Sequence, residues 1–261
     1  MNIVYKKKDG IALMESLIAI ALFAMFSLAI YFTYASIYEA LTRTKVRALT
    51  LEIAEREIEI VRNLAYSNVG TIGGSPIGVL AFTKNITSGG ANFEVKTYVR
   101  NVDDPFDGTV TSTPMDTAPA DYKVIEIQVK CQSCVGYPPV TVTSIVAPKG
   151  LEVDSNNGSL FVNVFDATGV PVSGASVNVK NTNITPNINI SDETNINGFL
   201  QLVDIPTSTS AYQVFVSKNG YSSDRTFETG LPENPNPVKP HATVAKDQLT
   251  QISFIIDKTS S

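Results

Sequence analysis

Tryptophan is absent from the 261 residues, histidine occurs once (His241), and cysteine occurs twice (Cys131 and Cys134). A single histidine weakens most metal-enzyme readings and most nucleophile mechanisms that need an imidazole base. Two cysteines are too few for a disulfide-rich scaffold, although one staple outside the cytoplasm remains possible. Charge is sparse at 17% of residues, and Lys6-Lys7-Lys8 is among the few concentrations of positive charge. Without that leader the formal net charge of -5 falls to about -7, which leaves no basic surface for nucleic acid. Glycine and proline are missing between Ile11 and Val69, so nothing obvious breaks a helix there. From Ser16 to Tyr38 there is no charged residue at all.

That uncharged stretch includes the nearly continuous apolar run Leu17 to Tyr34. Its length suits a bilayer core of roughly 30 Å, and the lysine cluster places its N-terminal end in the cytoplasm. A cleaved secretory signal would have a shorter apolar region of about 7–15 residues ending at a small-residue cleavage site. Here the run continues into a charged segment, so any cleavage is expected before it, at Gly10. Glu15 sits just inside the span, where a carboxylate is costly and calls for a partner or a function. Beyond the membrane, Leu41, Ala48, Leu51, Ile58, Val61 and Ala65 recur at helical spacings, with Glu52 and Arg56 placed to support the helix. The pattern predicts one helix on the order of 80 Å long, leaving through Ala65 to Gly74.

The segment Gly10-Ile11-Ala12-Leu13-Met14-Glu15, followed by Ser16-Leu17-Ile18-Ala19-Ile20-Ala21-Leu22, resembles the class III signal of type IV prepilins and type II secretion pseudopilins. The resemblance implies a peptidase cut after Gly10, methylation of Ile11 as the new N-terminus, and a filament-assembly role for Glu15. In a filament core, a carboxylate can neutralise the terminal amine of a neighbouring subunit and set axial register. Residue 11 is Ile where that family usually has Phe, and no mid-membrane proline is present. The missing proline, with the chain's size and added module, points to a minor pilin or pseudopilin rather than the main building block.

Four strand-like runs follow: Gly78–Phe82, Phe93–Val102, Tyr122–Cys131 and Val140–Ala147. In the third, Ile125, Ile127 and Val129 alternate with Glu126, Gln128 and Lys130, the pattern of an antiparallel strand with one wet face. The second half of the long helix is expected to cover the other face. Phe93-Glu94-Val95, Asp103-Asp104-Pro105-Phe106-Asp107 and Asp121-Tyr122-Lys123 resemble the sheet region of minor pilins of the PilV type. Asp103, Asp104 and Asp107 have the chemistry for calcium but no ordered ligand spacing, so turn chemistry is the expectation and no metal site is assigned. Cys131-Gln132-Ser133-Cys134 has the spacing of thiol redox sites, yet those precede a helix, and zinc would need two more ligands. A loop-closing disulfide is expected, with modest stabilising effect.

After the turn Asp154–Gly158 a second all-β pattern begins, with runs at Ser159–Phe165, Ser176–Lys180, Phe199–Val203, Ala211–Ser217 and near Gln251–Ile256. Short strands at regular spacing with Asn-Gly turns predict a sandwich. Residues 159–227 resemble the carboxypeptidase regulatory-like domain, most specifically in the Asp-x-x-Gly-x-Pro-x-x-Gly-Ala pattern from Asp166 to Ala175. That resemblance implies a rigid spacer or binding surface. Tyr221 reads as core and His241, beside the proline-rich Gly230–Pro240, as surface. The acceptor-like triplets at Asn85, Asn183 and Asn189 arise readily by chance in an Asn- and Thr-rich chain.

The expected fold is α+β: a long transmembrane helix packed on an antiparallel sheet, then a β-sandwich. Its expected segments are a leader (1–10), membrane helix (11–38), extracytoplasmic half-helix (39–69), pilin-like β domain (70–152) and sandwich (159–257). The expected function is a minor pilin or pseudopilin that displays its sandwich for adhesion or substrate contact. Its partners would be prepilin peptidase, other pilin or pseudopilin subunits, an inner-membrane assembly platform and membrane lipid. It would start as a single-pass protein of the cytoplasmic membrane, C-terminus outside, and end in a filament at the cell surface. The alternative is a membrane-anchored adhesin or binding protein that never joins a filament. No catalytic constellation is visible, so neither enzyme activity nor a cofactor is expected.

Overall fold

The computed structural model describes residues 9–134, 136–148 and 155–259, with side chains from residue 13 onward. The Lys6–Lys8 leader and Asp154 of the Asp154–Gly158 turn lie outside the described residues, and Asn157 and Gly158 already belong to a strand. Helix α1 (Asp9–Arg62) is unbroken for 54 residues. It is followed by a single 3-10 turn at Tyr66–Asn68, so the helix ends earlier than residue 69.

A four-stranded antiparallel sheet packs on the second half of α1, in the order β1 (Thr83–Ser88), β2 (Ala91–Val102), β3 (Tyr122–Cys131) and β4 (Val140–Val146). Strand β3 has the residues expected of it, with Ile125, Ile127 and Val129 fully buried. The expected first strand is corrected. Gly78–Phe82 is irregular, and the strand is Thr83–Ser88, closed onto β2 by Gly89 and Gly90, both at positive φ. Its single apolar residue, Ile86, gives no alternation to read, so the two-glycine turn and cross-strand pairing define it.

The buried face of α1 also differs from the expected one. Ile53, Ala54, Ile58 and Val61 are buried with Thr50 and Glu57, while Leu41, Ala48, Leu51 and Ala65 are exposed. Pairs of adjacent residues (53/54, 57/58) make a stripe centred between them, which matches a helix on a flat sheet better than a one-residue seam. This stripe joins Phe93, Val95, Val99 and the β3 residues in one core. Within it Glu57 forms an ion pair with Lys84 of β1, joining the helix to the edge strand.

The sandwich follows. One sheet has the order β10 (Asp224–Arg225), β9 (Ser208–Ser217), β6 (Ser176–Asn181), β7 (Ile188–Glu193), with β11 (Ala242–Val244) also pairing β9. The other has the order β12 (Leu249–Ile255), β5 (Asn157–Phe165), β8 (Phe199–Pro206). Pairing is antiparallel except between β12 and β5. Leu160, Val162, Val177, Val179, Leu202, Val214 and Phe254 fill the space between the sheets. Tyr212 is wholly buried there and donates its hydroxyl to the Pro206 carbonyl at 2.6 Å; burial pushes its pKa up to about 12. Strand β7 has no expected counterpart, because Ile188-Asn189-Ile190-Ser191-Asp192-Glu193 is too polar to give a convincing apolar face.

Two turns explain the pattern from Asp166 to Ala175 and the Asn-Gly turn. Asp166 Oδ1 accepts from the Thr168 and Val170 N–H groups and from the Thr168 hydroxyl, which hold its carboxyl below the ordinary range. Asn195 Oδ1 accepts from Asn197 and Phe199 N–H, bringing Gly198 to positive φ against the Val164 carbonyl, where a Cβ would lie only 2.5 Å away.

Candidate functional site

The first half of α1 is the most unusual surface of the molecule. Every described residue from Leu13 to Lys45 is exposed, including Leu17, Phe23 (74%), Phe26, Ile30 and Tyr34. A soluble surface does not carry an apolar cylinder of this size, so lipid or other helices must cover it. Within the uncharged run the Thr33 hydroxyl donates inside the helix, to the Ala29 carbonyl, and Thr42 and Thr44 just beyond it do the same to Tyr38 and Ala40. That arrangement suits a medium with no water to offer. Charge resumes only at Glu39 and Arg43, paired at 2.6 Å one turn apart.

Glu15 is exposed on this cylinder between Met14 and Leu17. Gly10 and Ile11 belong to the first turn of α1, and the Ile11 side chain lies outside the described ones. The helix thus contains an apolar stretch long enough to cross a membrane, with a carboxylate near its start and a folded β body on its charged second half.

The two β domains are joined by specific contacts. Arg100 of β2 donates from Nε and from an Nη to Asp192 of β7, at 2.6 and 2.7 Å. This fork-to-carboxylate bond raises the Arg100 pKa against the opposing effect of burial. Asn101 Nδ2 donates to the Val203 carbonyl, and Asn189 N–H donates to the Gly73 carbonyl. Val110 packs with Phe161 and Val203, which explains why β5 is buried on both faces between Gly158 and Val162. Lys123, nearly inaccessible, donates to the Tyr66 and Val69 carbonyls and lies over the Tyr66 ring; burial lowers its pKa to about 8.

The loop after β2 gathers carboxylates, but not the trio singled out by the sequence. Asp107, Asp116 and Asp121 bring one oxygen each within 4.8 Å of one another, a donor set of the kind hard cations take. Asp104 is instead turn chemistry: its Oδ1 accepts from Phe106 N–H, and its N–H donates to Asp121. Asp103 accepts from Val110 N–H, and burial followed by its acidic neighbours raises its pKa to about 6. Asp116 and Asp121 are 13 and 18 residues from Asp103, beyond any local spacing. Cys131 and Cys134 are disulfide-bonded where β3 leaves the sheet, with Cα atoms 5.3 Å apart.

No family model matches the chain, and no curated protein matches it. Solved structures give partial overlaps. The chain is similar to a 3-chlorocatechol 1,2-dioxygenase from Rhodococcus opacus 1CP at 15% identity and TM-score 0.26, over 41% of this chain and 62% of that one. It is similar to the group B streptococcus pilus 2b backbone protein at 12% identity and TM-score 0.26, over 56% and 54% of the two chains. It is similar to BcpA, the major pilin subunit of Bacillus cereus, at 15% identity and TM-score 0.26, over 53% and 38%. Each match covers less than two thirds of the other protein, and overlaps of this extent assign no activity.

Proposed function

We propose that the protein is a minor pilin or pseudopilin subunit: a structural component of a type IV pilus or type II secretion-like filament rather than an enzyme. The observation that carries this reading is the uncovered apolar half of α1, with Glu15 near its start and a β body on its other half. A helix built only to anchor gains nothing from an ionisable group inside the span, whereas one that packs beside copies of itself gains a pairing point. Cleavage after Gly10 and methylation of Ile11 belong to the same proposal, with prepilin peptidase and an inner-membrane platform as the partners that would act on it. Membrane lipid covers the helix before extraction, and neighbouring pilin subunits cover it afterwards. The sandwich is then displayed outside the cytoplasmic membrane for adhesion or substrate contact, and its bulk favours a place at or near a filament tip.

Mass spectrometry of the mature N-terminus tests this directly. A methylated Ile11 is expected. An exported protein that keeps Met1 or the lysine leader would overturn the proposal in favour of a single-pass anchored binding protein. Antibody labelling of the sandwich should mark filament ends sparsely; dense labelling along the shaft would refute the tip assignment.

A further inference from the structure

The outer face of the five-stranded sheet carries a cleft of about 410 Å³ that the filament reading leaves unexplained. Two cross-strand rows form its floor. In one, Arg225 of β10, Phe215 of β9 and Asn178 of β6 lie opposite one another; in the next, Gln213 and Lys180 do so. The segment Arg225–Glu228 and His241 make one wall. Thr226 accepts from Val214 N–H and bonds to His241 Nδ1 at 3.0 Å, fixing the imidazole against that wall.

Three properties of this face point to its ligand. The first is charge. The chain is acidic overall, yet Lys180 and Arg225 both face the cleft, neither has an ion-pair partner among the described residues, and Glu228 is the sole carboxylate in the lining. The second is exposed aromatic surface. Phe215 and Phe227 are 41% and 39% exposed, and the Arg225 guanidinium lies 5.0 Å from the Phe227 ring centre. The third is the state of the backbone. Strands β6 and β9 have neighbours on both sides, so their main-chain groups are already paired and offer a peptide no edge to extend. Recognition here must come from side chains: two cations, the Gln213 amide, the Asn178 carboxamide oxygen (its Nδ2 already donates to Asn189 Oδ1 and the Ile190 carbonyl), and a flat apolar ring. Those are the complements of a sugar acid, which presents a carboxylate, hydroxyls and an apolar ring face.

We propose that this cleft binds acidic saccharides of the hexuronate class, with Lys180 and Arg225 taking two carboxylates and Phe215 stacking between them. The proposal rests on the reading of the sandwich as the displayed contact module and names what it contacts. With strands about 4.8 Å apart and two residues along the strand, the Cα positions of Lys180 and Arg225 are separated by roughly 12 Å. A single hexuronate carries one carboxylate, so engaging one carboxylate at each cation takes a short oligomer.

The test is calorimetric titration of the full chain in detergent with trigalacturonate, galacturonate monomer, maltotriose and poly-glutamate. Saturable binding of trigalacturonate is expected, at least about tenfold tighter than the monomer or maltotriose. Lys180→Gln with Arg225→Gln should weaken it by at least about tenfold, and Phe215→Ser should weaken it without changing the circular dichroism spectrum. All three positions are exposed, so these variants should fold. Equal binding of maltotriose, tighter binding of poly-glutamate, or indifference to the double substitution would overturn the proposal. Filament incorporation is scored separately on the same variants. Normal incorporation without saccharide binding removes this inference and leaves the subunit reading intact; binding by a protein that never enters filaments does the reverse.

Discussion

Replacing Arg100 by Met tests whether the two β domains are held by a specific lock or merely lie side by side. The substitution keeps most of the aliphatic stem and removes the fork that donates twice to Asp192, at 2.6 and 2.7 Å. Asp192, whose side chain is only 8% exposed beneath the guanidinium, is then left with one retained donor, the Glu193 N–H at 2.8 Å. Breaking a fully buried pair costs about 3–5 kcal/mol. The Arg100 side chain is 36% exposed, so water screens part of this interaction, and the expected loss is about 2 kcal/mol. For a chain of this size that corresponds to a fall in thermal midpoint of about 4–8 °C. Scanning calorimetry of the detergent-solubilised chain reads it. The double variant Arg100→Met, Asp192→Leu removes the stranded carboxylate and should recover at least half of the loss. A single substitution that costs less than about 0.5 kcal/mol, or a double that costs the sum of the singles, would refute a coupled lock.

Three further outcomes are expected. Glu15→Gln should leave the thermal midpoint of the β domains unchanged, since Glu15 touches neither core, while lowering the fraction of subunit recovered in sheared filaments; wild-type recovery would contradict its assembly role. Asp103 should make stability fall as pH rises. Its folded pKa of about 6 lies above the ordinary 3.8, so its contribution is full below about pH 4 and lost through pH 6. The carboxyl is partly open to solvent, which reduces this to about 1 kcal/mol, and Asp103→Asn should flatten that part of the stability profile measured by urea titration between pH 4 and 7. Replacing both Cys131 and Cys134 by Ala should cost about 2 kcal/mol or less in the same titration, because a loop closed over three residues has little entropy to lose.

What could be read from the chain and what could not follows from the range of the interactions involved. The uncharged run after Ser16 and the strict alternation along Tyr122–Cys131 are local patterns set by a single environment on each side, and both elements lie where the sequence puts them. Thr83–Ser88 and Ile188–Glu193 gave no such pattern. One is an edge strand with a single apolar residue, and the other uses Asp192 to meet a guanidinium in another domain. Arg100 carries no local mark at all, since an outward arginine on a half-wet strand reads as solvated until the sandwich is docked against it. The same holds for Asp116 and Asp121, which join the acidic cluster only through the path of a long loop, and for Lys180, Arg225 and Phe215, which become neighbours through strand register.

The domain contact has a consequence for assembly. A sandwich joined to the sheet domain by Arg100–Asp192, by Asn101 to the Val203 carbonyl and by the Val110–Phe161–Val203 contact is held in orientation rather than tethered. Because the sheet domain is in turn packed on α1 through Ile53, Ala54, Ile58 and Val61, the register that Glu15 would set in a filament is transmitted to the outer face of the sandwich. A ligand on that face would then be presented at a fixed angle to the filament axis. Loosening the lock with Arg100→Met should leave saccharide affinity in solution unchanged while weakening attachment of whole filaments to an immobilised uronate polymer under flow. Parallel loss of both would place the cleft's integrity, not its orientation, under control of the domain contact.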